Sequence, residues 1–136
     1  MLQKTALTLL FSLLVSCVHG ANTTDTISYV IELDASNYSA VIDSTETVLM
    51  IDFYSPECPA CNKMTPLIES LAKEFKGRAV IAKVDTDIDD DIWPKYSVQS
   101  LPTFVFIKNG EVYSRFAGGQ TLDVLREAIQ HGLDQE

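Results

Sequence analysis

Apolar and polar positions alternate along residues 27–33 (ISYVIEL), the period of a strand with one buried face. The period then changes: Asp34 can cap a short helix in which Ala35, Tyr38, Val41 and Ile42 share a side. Residues 47–54 (TVLMIDFY) are an apolar run interrupted by a single Asp, the pattern of a central strand buried on both faces. Helical spacing returns with Met64, Leu67, Ile68, Leu71, Ala72 and Phe75, and stops at Gly77. Pro66 lies inside that pattern and is expected to kink the helix, because it has no N–H for the carbonyl of Asn62. Residues 78–84 (RAVIAKV) predict a further strand, and residues 85–98 (DTDIDDDIWPKYSV) an acidic connection containing a helix. Residues 103–107 and 111–116 flank Lys108-Asn109-Gly110, the strongest short-range hairpin signal in the chain. Leu122, Leu125, Ile129 and Leu133 mark a closing amphipathic helix.

Strand, helix, strand, helix, strand, then a hairpin and a helix predict an α/β layer fold. The early crossovers make parallel strands and the hairpin supplies an antiparallel edge. There are no internal repeats and no low-complexity tracts.

The first 20 residues read differently. Lys4 is followed by a ten-residue apolar stretch over 6–15, and Val18 and Gly20 are small enough for a cleavage site. A charged start, a short apolar core and small residues describe a secretory signal peptide, residues 1–20. A spanning helix would need about 20 apolar residues. Residues 21–26 (ANTTDT) follow as a polar leader, and residues 27–136 form the domain. An alternative reading takes residues 14–17 (LVSC) as a bacterial lipobox, with Cys17 as a lipidated N-terminus. Both readings put the domain outside the cytosol: secreted, in the lumen of the secretory pathway, or in a bacterial periplasm. No second apolar run exists, which excludes a polytopic membrane protein.

Cleavage leaves 116 residues, enough for one compact domain, and loss of Lys4 takes the formal charge from −9 to −10. That balance argues against nucleic acid, which demands clustered Lys and Arg. Cys17 leaves with the signal, so only Cys58 and Cys61 remain. A disulfide-stapled secreted domain carries four or more cysteines, and a bridge across two residues constrains the unfolded chain little. Structural zinc wants four ligands, against two cysteines and His131. Haem attachment needs His directly after the second cysteine, where Asn62 stands. By elimination the pair reads as catalytic. Cys58 falls at a helix N-terminus, where free N–H groups and the helix dipole favour a thiolate. Cys61, one turn on, can attack the resulting mixed disulfide and release the substrate.

Four features in order and spacing carry a resemblance: VLMIDFY with its Asp, CPAC at a helix start, PKYSVQSLPTFVFIKNGE, and FAGG before the last helix. Together they resemble the thioredoxin-fold family over nearly the whole chain after residue 26. The resemblance implies a central mixed β-sheet with helices on both faces, and a monomeric thiol–disulfide oxidoreductase without a bound cofactor or metal. Its implied partners are protein or peptide substrates bearing disulfides or thiols, and a separate redox partner. It makes Asp52 the group that moves the proton of Cys61, with Lys83 as the strand lysine nearby. A carboxylate between Ile51 and Phe53 is costly to bury without a raised pKa or a partner, and the competing role for Asp52 is a structural pair with Lys83. The resemblance also makes Pro102 a cis-proline facing the cysteines. It implies that the backbone of Leu101 pairs with an extended substrate, and that Gly118, Pro59 and Ala60 line the same groove.

The chain departs from the family pattern at several positions. Glu57 stands where an aromatic usually precedes the first cysteine, and Pro59-Ala60 replace Gly-Pro. Disulfide isomerase domains usually place a His there, and none is present. Glu57 opposes thiolate formation where it lies close. Trp93 is expected to serve packing rather than recognition. Asp85, Asp87 and Asp89, Asp90 and Asp91 lack calcium-loop spacing and are expected to be a solvated acidic face. Asn22 and Asn37 head glycosylation sequons. Two rivals to a secreted oxidoreductase stay open: an endoplasmic-reticulum isomerase or oxidase, and a redox-inert binding module or effector on the same fold. The terminal GLDQE lacks a retention signal of the Lys-Asp-Glu-Leu type.

Overall fold

A computed structural model describes residues 28–135 of the chain; the signal peptide and leader read over residues 1–26, and Asn22, lie outside the described residues. Five strands form one sheet in the order β1-β3-β2-β4-β5. They are β1 (Ile31–Glu32), β2 (Val48–Tyr54), β3 (Ala79–Asp85), β4 (Thr103–Lys108) and β5 (Glu111–Ala117). β1 and β2 run parallel to β3, and β4 is antiparallel to both β2 and β5. Three α-helices lie among the described residues: α1 (Tyr38–Ser44), α2 (Pro59–Glu74) and α3 (Leu122–Asp134).

Strand periodicity sorts β2 into two faces. Val48 and Met50, with Phe104 and Phe106 of β4, pack against Met64, Ile68 and Leu71 of α2 and Leu125 and Ile129 of α3. Leu49, Ile51 and Phe53 point the other way, onto Ile92, Tyr96, Val98 and α1. Both faces are therefore buried, which is why the segment reads as an unbroken apolar run. The same parity turns Asp52 toward α2, the helix that carries Cys61.

The hairpin forms as expected, with Asn109 and Gly110 at φ 52° and 77° supplying its two left-handed positions. Other elements differ from the sequence pattern. β1 shrinks to two residues, extended only by a bond from Leu33 N to Lys83 O at 2.9 Å. As a short edge strand it gains little from a full alternating face. Asp34 organises a turn before α1: its Oδ1 accepts from the N–H groups of Ser36 and Asn37, and α1 starts at Tyr38. Asn37 is the N-cap residue by position; its side chain donates to Glu32 O at 2.8 Å and accepts from Asp34 N. α2 continues through Pro66 and ends at Glu74, before Gly77, which turns the chain at φ 77°.

The acidic connection holds only a short 3₁₀ helix, Trp93–Tyr96, and it is not uniformly a solvated face. Asp85 and Asp89 are buried. Asp89 Oδ1 accepts from Asp91 N and Ile92 N, and Asp85 Oδ1 accepts from Asp87 N. Each carboxylate replaces the backbone partners that a regular element would supply, which is the usual work of Asp in turns.

One glycine is fixed by close approach. Gly132 lies buried inside α3, where a Cβ would overlap Tyr113 Oη and come within 2.8 Å of Val48 Cγ2. Tyr113 cannot swing away freely, since its hydroxyl donates to Ala128 O at 2.9 Å. Gly132→Ala gains about 1 kcal/mol of helix propensity, but overpacking costs about 1–3 kcal/mol and the lost hydrogen bond about 1 kcal/mol. A net destabilisation of about 2 kcal/mol is expected in urea unfolding. A variant more stable than the parent would refute the packing argument.

Candidate active site

β2 ends at Tyr54, and the loop after it delivers Cys58 to the start of α2. Cys58 is the N-cap, Pro59 occupies the first turn, and no acidic residue stands there. Proline is suited to this place because its missing N–H would have had no helical partner. Cys58 and Cys61 are joined by a disulfide with Cα atoms 5.2 Å apart. Cys58 Sγ accepts from the N–H of Cys61 at 3.2 Å. Cys58 is half-buried, whereas Cys61 is 2% exposed and belongs to the core. The outer sulfur therefore sits on a free helix N-terminus and the inner one beneath it, an arrangement that favours negative charge on the outer sulfur once reduced.

The loop is braced from the acidic connection. Ser55 Oγ donates to Asp87 Oδ2 at 2.5 Å and accepts from Glu57 N. Ser55 is buried, and the sequence pattern did not mark it as the residue that ties Asp87 to this loop. Pro59, Ala60 and Glu57 are exposed around the disulfide.

Strand register brings the other expected residues to the same end of the sheet. Phe53 pairs with Thr103, so the Leu101–Pro102 bond lies level with the loop leaving β2. That bond is cis. Pro102 is buried, and its carbonyl accepts from Gly118 N at 2.7 Å. Gly118, the residue after β5, thus holds the proline, with a φ of 81° that disfavours a side chain. Beside Leu101 opens a cleft of about 210 Å³ lined by Thr86, Trp93, Val98, Gln99 and Ser100. Trp93 does pack on the core face formed by Ile92 and Tyr96, as expected, but it also forms one wall of this cleft.

Asp52 is 5% exposed, and its Oδ1 has no hydrogen-bond partner among the described residues. Burial pushes its pKa up to about 7, with the Lys83 charge pulling the other way. Lys83 stands beside Asp52 in the β2–β3 register but makes no ion pair with it. Its ammonium lies 3.9 Å from Glu32 Oε2 and over the ring of Tyr54. The structural Asp52–Lys83 pair is therefore absent, and Lys83 acts on Asp52 only through its field.

A family model described as Thioredoxin matches residues 29–131. The chain belongs to the thioredoxin family. It is 32% identical over 114 residues to thioredoxin H4 of Arabidopsis thaliana, covering 84% of this chain and 89% of that one. To the chloroplastic M-type thioredoxin of Spinacia oleracea it is 31% identical over 102 residues, 75% of this chain and 56% of the other. To thioredoxin-T of Drosophila melanogaster it is 41% identical over 78 residues, 57% of this chain and 50% of the other. The chain thus spans about half the length of the last two relatives and most of the first. The family carries the α/β fold of mixed sheet and flanking helices described above.

Proposed function

We propose that this thioredoxin-family protein is a thiol–disulfide oxidoreductase acting on protein or peptide disulfides and dithiols, in the secretory pathway or outside the cell. The observation that carries the reading is the asymmetric disulfide: Cys58 half-buried on a helix N-terminus, Cys61 buried one turn on. In the reducing direction, the Cys58 thiolate attacks a substrate sulfur and expels the other as a thiolate. Cys61, deprotonated by Asp52, then attacks the Cys58 sulfur. The second substrate sulfur leaves, the Cys58–Cys61 disulfide closes, and two electrons have passed to the substrate. A thiol or dithiol reductant reopens the bond. Oxidation of a substrate dithiol is the same sequence reversed.

Several placements support the roles. Asp52 faces α2 at a pKa near neutrality, as suits a group that takes and returns a proton. No described residue hydrogen-bonds the backbone of Leu101, leaving it free for an extended substrate. Pro59, Ala60 and Gly118 border the same end of the sheet. The extracellular or luminal setting rests on residues 1–20, and a lasting disulfide suits such a compartment. Turnover of a protein disulfide with a dithiol donor tests the reading. The parent should accelerate it, and Cys58→Ser should return the rate to uncatalysed exchange. Equal turnover by parent and variant would refute it.

A further inference from the structure

A small cavity of about 40 Å³ lies between the sheet and α2. Its walls are Asp52 and Tyr54 of β2, Lys83 of β3, Thr65, Ile68 and Glu69 of α2, and Val30 from the segment before β1. One water needs roughly 10–15 Å³ of such volume and two or more polar partners. Asp52 Oδ1, buried and unpaired, is one such partner, and Thr65 and Glu69 offer others. Thr65 also links the cavity to the inner cysteine, its hydroxyl reaching Cys61 O at 3.4 Å. Glu69 stands at the outer side, where Ser28 Oγ donates to both carboxylate oxygens at 2.9 and 3.1 Å. Ser28 is fixed in turn by Val30 N, which donates to its hydroxyl at 3.2 Å.

We propose that Glu69 is the surface end of a proton path beginning at Asp52, in which one cavity water carries the proton between the two carboxylates and Ser28 holds Glu69 at the mouth. The inference rests on the oxidoreductase reading. Asp52 must be ionised before it can take the proton of Cys61, and being almost wholly enclosed it reaches that state from the protonated form only by passing its own proton out. The other polar walls are unsuited to receive it. Lys83 is a donor only while charged, and it is drawn toward Glu32. The Tyr54 hydroxyl, raised to about 12 by burial and by Glu32 and Asp85, stays protonated and donates to Glu32 Oε1. Glu69 alone combines an acceptor carboxylate, a place on the cavity wall and contact with solvent. It is a positioning residue for proton flow and does not touch substrate.

The test uses the reduced protein from residue 21 on, whose thiols are Cys58 and Cys61, and a symmetric nitrobenzoate disulfide, whose halves leave in turn as coloured thiolates. The first release reports attack by Cys58 and the second reports resolution by Cys61. Glu69→Gln keeps the acceptor for Ser28 but cannot carry a proton as a carboxylate does. It should leave the first release unchanged and slow the second about tenfold at pH values below about 7, where Asp52 must lose a proton before resolution, a fraction of the gain typical of general acid–base groups. Glu69→Asp should recover most of the rate, and added imidazole should accelerate the Gln variant but not the parent. Loss of charge alone would lower the pKa of Asp52 and speed the second release below neutrality instead. A second release below about pH 7 as fast as the parent's, or a loss that neither Asp nor imidazole restores, would overturn the path. A parent that shows no first release would overturn the oxidoreductase reading itself, and this path with it.

Discussion

Replacing Asp52 with Asn is expected to stabilise the domain increasingly as pH rises, while slowing the step that releases substrate. An aspartate in the unfolded chain ionises near 3.8, whereas in the fold Asp52 ionises near 7, because burial disfavours the charge more than Lys83 favours it. Between those values the folded state binds more protons than the unfolded state, so ionisation of Asp52 subtracts stability as pH rises. Its unfavourable contribution is absent below the unfolded value and complete above the folded one. A shift from 3.8 to about 7 corresponds to roughly 4 kcal/mol at full ionisation. An amide left without partners in the same place costs about 1–3 kcal/mol, so the net gain above neutrality is about 2 kcal/mol. Urea unfolding of the oxidised parent and variant across this pH range measures it. The difference should open as pH rises through the interval and level off above it. A constant difference would show that Asp52 is not the buried acid described here. The same variant, reduced, should attack a disulfide through Cys58 normally but resolve slowly, since Cys61 has lost its proton acceptor.

This coupling of cost and chemistry explains what could be read from the chain and what could not. The Asp within TVLMIDFY was visible because a charge breaks an apolar run, and its orientation follows from strand parity alone. The hairpin, α3 and the cysteine pair were visible for similar reasons: each rests on local rules of turn, period or spacing. Glu69 was not visible. On a helix it reads as an ordinary exposed position, and only the tertiary approach of Val30 and Ser28 gives it a cavity to border. The burial of Asp85 and Asp89 was equally hidden, because their partners are backbone N–H groups that a turn exposes once it forms. β1 was overestimated, since alternation over seven residues does not tell how much of the edge finds a neighbour. The Lys83 assignment separates the two kinds of information. Its place beside Asp52 follows from register, but its attraction to Glu32 depends on a second strand that the local pattern does not align.

The largest effect is expected from Cys61→Ser, which should convert a turning-over enzyme into one that keeps its substrates. In the parent a mixed disulfide on Cys58 is short-lived, because the inner thiol lies one helical turn away and attacks within the same molecule. Serine preserves the size and burial of that position but cannot displace a sulfur, so the adduct persists until an external thiol removes it. Cys58 remains half-buried on the helix N-terminus in this variant and still attacks. The converse variant behaves differently for a geometric reason. In Cys58→Ser the only thiol among the described residues is Cys61, 2% exposed and packed among core residues, so a protein disulfide cannot reach it. Incubation with a mixture of disulfide-bearing proteins, followed by non-reducing mass spectrometry, should find thiol-reversible adducts accumulating on Cys61→Ser and almost none on Cys58→Ser. Equal trapping by both would mean that the inner sulfur is reachable, and the division into attacking and resolving cysteines would fall. Trapping confined to Cys58→Ser would reverse it. The adducts on Cys61→Ser would also identify substrates directly, and their sequences around the trapped cysteine would show what the cleft beside Leu101, walled by Trp93 and Thr86, accepts.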